Sequence, residues 1–309
     1  MPRRLGLVVG AVVAVVAVVV AATVVLLRPA GAEPDLDPYR GLGTWVDVFD
    51  YAPRLTPTPR VTPASIDDVA ALGARTLYLQ VANPDDAPSD QLTDERVLRT
   101  LVKRAHRNDL MVVAWFLPDT VDLDADEQFV REVADFSVNG RGFDGITLDL
   151  ESRVVEDVAD RNGRVVEITR RARDVIDEDI ALGAAVYTAV HLEVINPAFW
   201  PDFPYEQLGD LVDVWLPMAY HTDREEESGY RDGYAYGHES VMRLRDNLDD
   251  EDAEVHLIGG IADQITPTDI ERFLEAVDRT GAVGWSLYDF VTTSSAAWPY
   301  LRDGAASGG

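Results

Sequence analysis

Short apolar runs alternate along the chain with longer segments in which apolar residues recur every three to four positions. The first pattern is typical of buried strands and the second of amphipathic helices. The chain is thereby predicted to contain eight strands, each followed by a helical segment. The predicted strands are 43–49, 76–81, 111–117, 145–150, 180–190, 213–220, 255–261 and 282–288, and the helical segments are 65–72, 94–108, 126–138, 156–177, 205–211, 239–248, 268–280 and 294–301.

This regular order favours a closed parallel barrel of eight strands surrounded by helices, the (β/α)8 or TIM barrel. Its size agrees, since roughly 280 residues follow the N-terminal segment and such barrels typically have about 250. An open, doubly wound sheet is the alternative. That sheet rarely needs eight units, and no glycine-rich phosphate-binding sequence follows the first strand.

The N-terminal segment has the pattern of a membrane helix. Residues 5–27 contain no charged side chain, follow two arginines and end at an arginine–proline pair. About 20 apolar residues span a bilayer, whereas the apolar part of a secretory signal has about 7–15. We therefore expect residues 1–32 to be a transmembrane signal anchor, 33–42 a linker and 43–309 a catalytic domain held at the cell membrane, outside the cytoplasm. Signal cleavage after residues 30–32 is the alternative and would give a secreted protein.

Composition excludes several kinds of protein. The chain has 27 Lys and Arg against 55 Asp and Glu, a formal net charge of −28, and no cysteine. Phosphate-binding surfaces need clustered basic residues, so nucleic acid is not an expected partner. Without cysteine there is no disulfide, thiolate metal site or Cys nucleophile. His221, His238 and His256 lack metal-ligand spacing, so we expect no metal and no cofactor. The oligomeric state is not indicated.

The fourth predicted strand carries the most informative acids. Side chains alternate between the faces of a strand, so Thr147, Asp149 and Glu151 share the face that points into the barrel. Active sites of such barrels lie at the carboxyl ends of the strands. Two neighbouring acids there raise each other's pKa, which suits a general acid near neutral pH. A structural network with arginines is the alternative for an arbitrary Asp-x-Glu.

Three segments resemble family 18 glycoside hydrolases, the chitinases and their endo-glycosidase relatives. FDGITLDLE is similar to the family's D-x-x-D-x-D-x-E signature, with Asp144, Asp149 and Glu151 matching and Thr147 in place of one Asp. WLPMAYH resembles its M-x-Y-D. GAVGWSLYD resembles its last strand. The segments fall on predicted strands four, six and eight, as the family requires.

The second and third segments add four candidate residues to the site. Met218 and Tyr220 match the M-x-Y-D pattern, and His221 replaces its Asp. Trp285 stands where the family places a tryptophan at the floor of the sugar site. Because His221 titrates near pH 6.5, it would alter the pH dependence of the site.

The resemblance implies substrate-assisted retention, in which the substrate supplies the nucleophile. Glu151 would protonate the glycosidic oxygen, and the substrate's N-acetyl carbonyl would attack the anomeric carbon. Asp149 would hold the acetamide and stabilise the oxazolinium ion, and Tyr220 would bind the acetamide oxygen. Trp285 would stack under the sugar. Asp144, Met218 and His221 complete the residues carried over from the family.

Further polar and aromatic residues lie near predicted strand ends. Trp45 and Tyr187 could stack on sugar faces, and Gln80 could bind hydroxyl groups; core packing is the alternative for Trp45.

The sequence thus predicts a glycosidase acting on a cell-surface or extracellular polysaccharide, and the resemblance implies one that contains N-acetylhexosamine. Its partners would be the glycan substrate and, through the N-terminal helix, the membrane. A catalytically inactive glycan-binding barrel is one alternative, favoured by Thr147 and His221. A barrel glycosidase of another family, using a second carboxylate, is the other. The candidates for that carboxylate are Asp47, Asp50 and Asp289.

Overall fold

The computed structural model of the protein describes residues 33–82 and 91–304. Eight strands pair in chain order and the eighth closes on the first, which confirms the predicted barrel. All eight pairings are parallel. The strands are β1 (Gly41–Val46), β2 (Thr76–Gln80), β3 (Met111–Phe116), β4 (Gly145–Asp149), β5 (Leu182–Tyr187), β6 (Val214–Met218), β7 (His256–Ile261) and β8 (Gly284–Tyr288).

Helices of unequal length follow the strands. They are α1 (Val48–Tyr51), α2 (Pro63–Ala71), α3 (Glu95–Arg107), α4 (Leu123–Asp135), α5 (Val158–Val175), α6 (Tyr205–Gly209), α7 (Gly233–Leu248), α8 (Pro267–Thr280) and α9 (Trp298–Asp303). A π-helical turn, His191–Ile195, follows β5. Sequence signals explain several boundaries: α8 begins at a capping box formed by Thr266 and Asp269 and ends at Gly281, whose φ is +64°.

Two helices differ from the sequence prediction because of aspartate caps. The predicted first strand extends to residue 49, whereas β1 ends at Val46 and α1 follows. The Asp47 carboxylate accepts hydrogen bonds from the amides of Phe49 (2.7 Å) and Asp50 (3.1 Å), which starts that helix. In the same way Asp232 accepts from the Ala235 amide at 2.8 Å. α7 therefore begins at Gly233 rather than at the predicted residue 239.

Buried apolar side chains form two separate cores. The larger lies between the strands and the helices and contains outward-facing residues such as Leu148 and Leu287. The smaller fills the barrel and is rich in aromatic residues, among them Trp45, Tyr78 and Trp115. Alternation along each strand thus decides which residues can meet a ligand inside the barrel.

Residues 35–42 belong to the barrel and not to the predicted linker, 33–42. The Asp35 amide donates to the Asp179 carbonyl at 3.0 Å, and β1 already begins at Gly41. Tyr39 is fully buried, and its hydroxyl donates to the Ile146 carbonyl at 2.9 Å. A Cβ at Gly183 would lie 2.8 Å from the Tyr39 ring, so glycine there gives the ring its space. Tyr39 thereby closes the barrel at the amino ends of the strands.

The predicted signal anchor, residues 1–32, lies outside the described residues. Among the helices that the structure does describe, none is long and apolar enough to cross a membrane. Anchoring and localisation therefore stay predictions from the sequence.

Candidate active site

An open cavity of about 330 Å³ lies at the carboxyl ends of the strands, where (β/α)8 enzymes carry their active sites. Its wall combines carboxylates with aromatic and aliphatic side chains. Six of the residues predicted for the site line it: Trp45, Gln80, Asp149, Glu151, Met218 and Tyr220.

Strand β4 and the turn after it bring two carboxylates into this cavity. Asp149 is only 7% exposed, and its Oδ1 has no hydrogen-bond partner among the described residues. Burial raises the pKa of Asp149 well above its usual range, and the charge of neighbouring Glu151 raises it further. Burial also raises the pKa of Glu151, against the opposing effect of a hydrogen bond from Tyr187. The two acids therefore retain a proton at pH values where isolated carboxyl groups have lost theirs.

Two tyrosines flank the acids. Tyr187, at the end of β5, does not line the cavity but donates its hydroxyl hydrogen bond to Glu151. Tyr220 follows β6, and burial together with the charge of Asp149 raises the pKa of its phenol. Both hydroxyls consequently stay protonated at neutral pH and are hydrogen-bond donors beside the carboxylates.

The floor of the cavity is aromatic. Trp45 stacks on Tyr78, with ring centroids 4.3 Å apart and 12° between the planes, and the edge of Trp115 meets Trp45 at 5.5 Å. The Trp115 Nε1 is buried and has no hydrogen-bond partner within the described part of the chain. The floor thus offers both a flat ring system and one unpaired indole donor.

A hydrogen-bonded chain fixes the orientation of Trp45. Its Nε1 donates to the Ser286 Oγ at 2.8 Å, and that oxygen lies 2.9 Å from His256 Nε2. Burial lowers the pKa of His256 to about 4, so its ring is neutral and Nδ1–H donates to the Tyr39 carbonyl at 2.9 Å. With Nδ1 protonated, Nε2 accepts from the Ser286 hydroxyl, and the chain is internally consistent.

A second acidic group lies at the ends of β1 and β8. Carboxylate oxygens of Asp47, Asp50 and Asp289 lie within 4.8 Å of one another, a spacing that a cation could bridge. Protein donors already occupy much of this group, because Arg60 binds Asp50 Oδ1 at 2.7 Å and Thr292 binds Asp289 Oδ1. Burial, with the charges of the other two acids, raises the pKa of Asp50 to about 6. Of the three, only Asp47 lines the cavity.

Trp285 does not form the floor of the site, contrary to the sequence prediction. On β8 the side chains of Ser286 and Tyr288 face inward, so alternation turns Trp285 outward. Trp285 packs in the outer core, where its Nε1 donates to the Leu301 carbonyl of α9 at 3.0 Å. The floor is formed by Trp45 instead.

Asp144 and His221 also lie away from the cavity. Asp144 precedes β4 at the opposite end of the barrel and pairs with His106 (3.0 Å) and Arg141 (2.7 Å). His221 is fully buried behind β7, with its ring close to Gly233 and Gly260. Burial lowers the pKa of His221, so it is a neutral core residue rather than part of a substrate site.

Tyr288 lines the cavity and was not among the predicted site residues. Its hydroxyl donates to Asp47 Oδ2 at 3.3 Å, and its ring lies 6.4 Å from that of Tyr220. The signal was available in the alternation of β8, which places Tyr288 on the same face as Ser286.

Comparison with known proteins identifies the fold. No family model matches the chain, and no curated protein matches it. Solved structures do match, and those of several glycoside hydrolases are among them. A GH18 chitinase from Cycas revoluta, solved with (GlcNAc)3, is 11% identical with a TM-score of 0.62, covering 85% of this chain and 99% of the other.

Two others are the PgaB (BpsB) glycoside hydrolase domain from Bordetella bronchiseptica and an endo-1,4-β-D-mannanase from Thermotoga petrophila. The first is 16% identical with a TM-score of 0.57, over 85% of this chain and 98% of that domain. The second is 11% identical with a TM-score of 0.64, and the match covers 87% of this chain and 99% of the mannanase chain. The chain therefore has a chitinase-like TIM barrel, the fold that these glycoside hydrolases share.

Proposed function

We propose that the protein is a retaining glycoside hydrolase that acts on a cell-surface or extracellular polysaccharide containing N-acetylhexosamine. The observation that carries this proposal is the Asp149–Glu151 pair, two carboxyl groups with raised pKa values in an open, aromatic-floored cavity. A purely structural pair would be neutralised by arginine. Within the described residues, no ion pair involves either acid.

In the proposed reaction Glu151 gives its proton to the glycosidic oxygen as the bond from that oxygen to C1 breaks. The carbonyl oxygen of the substrate's N-acetyl group attacks C1 and forms a cyclic oxazolinium ion. Asp149 accepts a hydrogen bond from the acetamide N–H and stabilises the positive charge, while Tyr220 donates to the acetamide oxygen. Glu151, now ionised, then takes a proton from the water that attacks C1, which restores the acetamide and the original configuration.

The unpaired polar atoms of the cavity support an acetamido sugar. Within the described ranges, Asp149 Oδ1 is an acceptor without a donor, and Trp115 Nε1 is a donor without an acceptor, each on a side chain at most 7% exposed. A buried polar atom left without a partner costs roughly 1–3 kcal/mol. A ligand that carries both an N–H and an oxygen would satisfy both atoms, and Trp45 would stack beneath its ring.

A glycosidase for sugars without an acetamide is the second candidate, because Asp47 lines the same cavity as Glu151. Burial raises the pKa of Asp47, and the amides of Phe49 and Asp50 oppose that rise. In this alternative Asp47 would be the second carboxylate, as attacking group or as base for water.

The test is hydrolysis by the full-length chain of oligomers from chitin, peptidoglycan and galactosaminoglycan, followed by product analysis. Glu151→Gln should lower kcat at least about 1000-fold while binding persists, and the control Glu156→Gln, in the exposed loop before α5, should not. A thiazoline mimic of the oxazolinium ion should inhibit the substrate-assisted reaction but not one that uses Asp47. Binding without hydrolysis by the unaltered protein would make this a glycan-binding barrel, and full activity of Glu151→Gln would refute the assigned role.

We also propose that residues 1–32 hold the enzyme at the membrane with the barrel outside the cytoplasm. The apolar run of residues 5–27 supports this. After expression of the full chain, alkaline carbonate extraction should leave it in the membrane fraction. A soluble product beginning after residue 32 would show a cleaved signal instead.

A further inference from the structure

Two arginines near Glu151 have no carboxylate partner in the part of the chain that the structure describes, although acidic residues outnumber basic ones by 55 to 27. Arg153 follows Glu151 in the loop after β4 and is exposed, and Arg224 lies in the loop after β6 and is partly exposed. Several arginines of the helices bind acids, as Arg171 does with Asp124 and Glu167, whereas others, such as Arg107 and Arg161, take part in none of the described ion pairs. Among the described ion pairs, neither Arg153 nor Arg224 takes part.

The two guanidinium groups lie against a group of three rings, Arg153 against Phe199 and Arg224 against His191. Tyr187 and His191 each lie 4.9 Å from Phe199, measured between ring centroids. The guanidinium carbon of Arg153 lies 4.0 Å from the Phe199 centroid. Arg224 Nη1 lies 3.0 Å from His191 Nδ1. We call these five residues the arginine–ring cluster.

The neutral state of His191 keeps the Arg224 contact favourable. Burial lowers the pKa of His191, and the charge of Arg224 lowers it further. At neutral pH the ring is therefore uncharged, and Nδ1 accepts a hydrogen bond from Arg224. That bond and a longer one to the Tyr220 carbonyl, at 3.4 Å, orient the guanidinium group, which also lies 5.7 Å from the centroid of the Tyr236 ring; no hydrogen bond among the described residues uses its Nη2.

The cluster adjoins the catalytic acid through Tyr187, which donates to Glu151. The positive charge of Arg153 acts on the same hydroxyl, since it opposes the rise in the pKa of Tyr187. The arginine–ring cluster is therefore connected to Glu151 through Tyr187, which makes it a candidate position for the sugar next to one bound at Glu151.

We propose that the arginine–ring cluster binds a carboxylate on the sugar unit beside the cleaved bond, so that the substrate is an acidic glycan. The guanidinium fork matches a carboxylate with two parallel hydrogen bonds, and the rings pack against the sugar. A chain with a formal charge of −28 repels an anionic polymer overall, so binding requires unpaired cations at the point of contact. The proposal rests on the proposed function only for the position of the cleaved bond.

The experiment measures binding to the full-length Glu151→Gln protein, which does not consume its ligand. One probe is an oligomer of alternating N-acetylglucosamine and N-acetylmuramic acid, whose carboxylate is a lactyl ether. The other is an oligomer of alternating N-acetylglucosamine and glucuronate. Each is compared with the same oligomer after reduction of its carboxyl groups to alcohols. We expect one acidic form to bind about tenfold more tightly than its reduced form, and the gain to shrink as salt screens the charges.

Arg153→Gln and Arg224→Gln, made in the same background, should each reduce this ratio to about threefold or less. Arg153→Lys, which keeps the charge but not the fork, should retain part of it. Arg107→Gln, an exposed arginine at the end of α3, is the matched control and should keep the full ratio. Melting curves check that each variant is folded.

Equal binding of acidic and reduced forms in both probe series would overturn the proposal, as would a ratio that survives both arginine substitutions. The probe that shows the preference identifies which carboxylate the cluster binds. Hydrolysis of neutral oligomers without any acid preference would refute this proposal and leave the proposed function intact. If Glu151→Gln prefers the acidic oligomer but the unaltered protein hydrolyses none, the acidic-glycan proposal stands and the proposed function fails.

Discussion

Trp45 and Trp285 lie on the neighbouring strands β1 and β8, but only Trp45 meets the cavity. The difference arises because alternate residues of a strand point to opposite faces. Trp45 shares the inward face of its strand with Gly43, whereas Trp285 lies between the inward-facing Gly284 and Ser286. A residue matched by motif alone can therefore lie one position away from the face that lines the cavity, as Trp285 does.

Replacing each tryptophan by leucine separates the two positions. Trp45→Leu removes the stacking surface, and we expect kcat/KM on the cleaved oligomer to fall about 10- to 100-fold, mainly through KM. Trp285→Leu should leave kcat/KM within about twofold. It should lower the free energy of unfolding by roughly 1–3 kcal/mol, because the bond to the Leu301 carbonyl and part of the packing are lost. A loss of activity confined to Trp285→Leu would reverse the assignment.

The raised pKa of buried Asp126 should make the stability of the protein depend on pH. It is 5% exposed, and burial with the charge of Asp119 raises its pKa from 3.8 to about 7. Between about pH 4 and 7 the folded state thus binds more protons than the unfolded state, so the free energy of unfolding falls as pH rises. Asp126→Asn keeps an oxygen for the Thr120 amide but cannot ionise.

Urea unfolding at pH 5 and pH 8 measures this effect. Between pH 5 and pH 8, the free energy of unfolding of the unaltered protein should fall by on the order of 2 kcal/mol more than that of Asp126→Asn. The difference between the two proteins removes the contribution of other acids such as Asp50. Parallel pH profiles would contradict the raised pKa of Asp126.

At the scale of elements, the barrel was predictable because eight short apolar runs alternate with amphipathic segments. The inward position of Asp149 and Glu151 was predictable for the same reason, since β4 keeps strict alternation. What the sequence did not reveal depended on contacts between distant segments. The start of α7 was missed because Gly233 and Gly237 are poor helix formers. The reason for glycine at these positions is the close packing of α7 against its neighbours, which the sequence does not show.

Substituting Gly237 and Gly163, which both lie in helices, should change the stability of the protein in opposite directions. A Cβ at Gly237 of α7 would lie 3.1 Å from Ala276 Cβ and 3.1 Å from Leu257 Cδ2, so Gly237→Leu should destabilise by about 1–3 kcal/mol. A Cβ at Gly163 of α5 would meet no atom within 4 Å. Gly163→Ala should therefore stabilise by roughly 0.5–1 kcal/mol, through helix propensity alone. Denaturant midpoints check both, and equal shifts would show that packing does not restrict Gly237.

The molecule as a whole carries far more negative than positive charge, −28 formally, and its ion pairs lie largely at the helix surfaces. Exposed pairs contribute little each, about 0–1 kcal/mol, whereas repulsion among the excess acids acts throughout the surface. Screening should therefore favour the folded state on balance.

Raising NaCl from about 20 to 500 mM shortens the screening length from above 20 Å to below 5 Å. We expect the melting temperature to rise by several degrees over this range. KCl at equal ionic strength is the control and should act equally, because the effect is one of screening. A melting temperature that falls with salt would mean that the surface ion pairs outweigh the repulsion.

The aromatic floor has one more consequence, which concerns the intrinsic fluorescence of the protein. Two of the six tryptophans, Trp45 and Trp115, line the cavity, and the other four do not. A saccharide bound at the proposed site would alter the polarity around these two indoles and leave the emission of the other four unchanged. The protein thus carries its own fluorophores at the place where occupancy matters, and titrations can be followed without any attached dye.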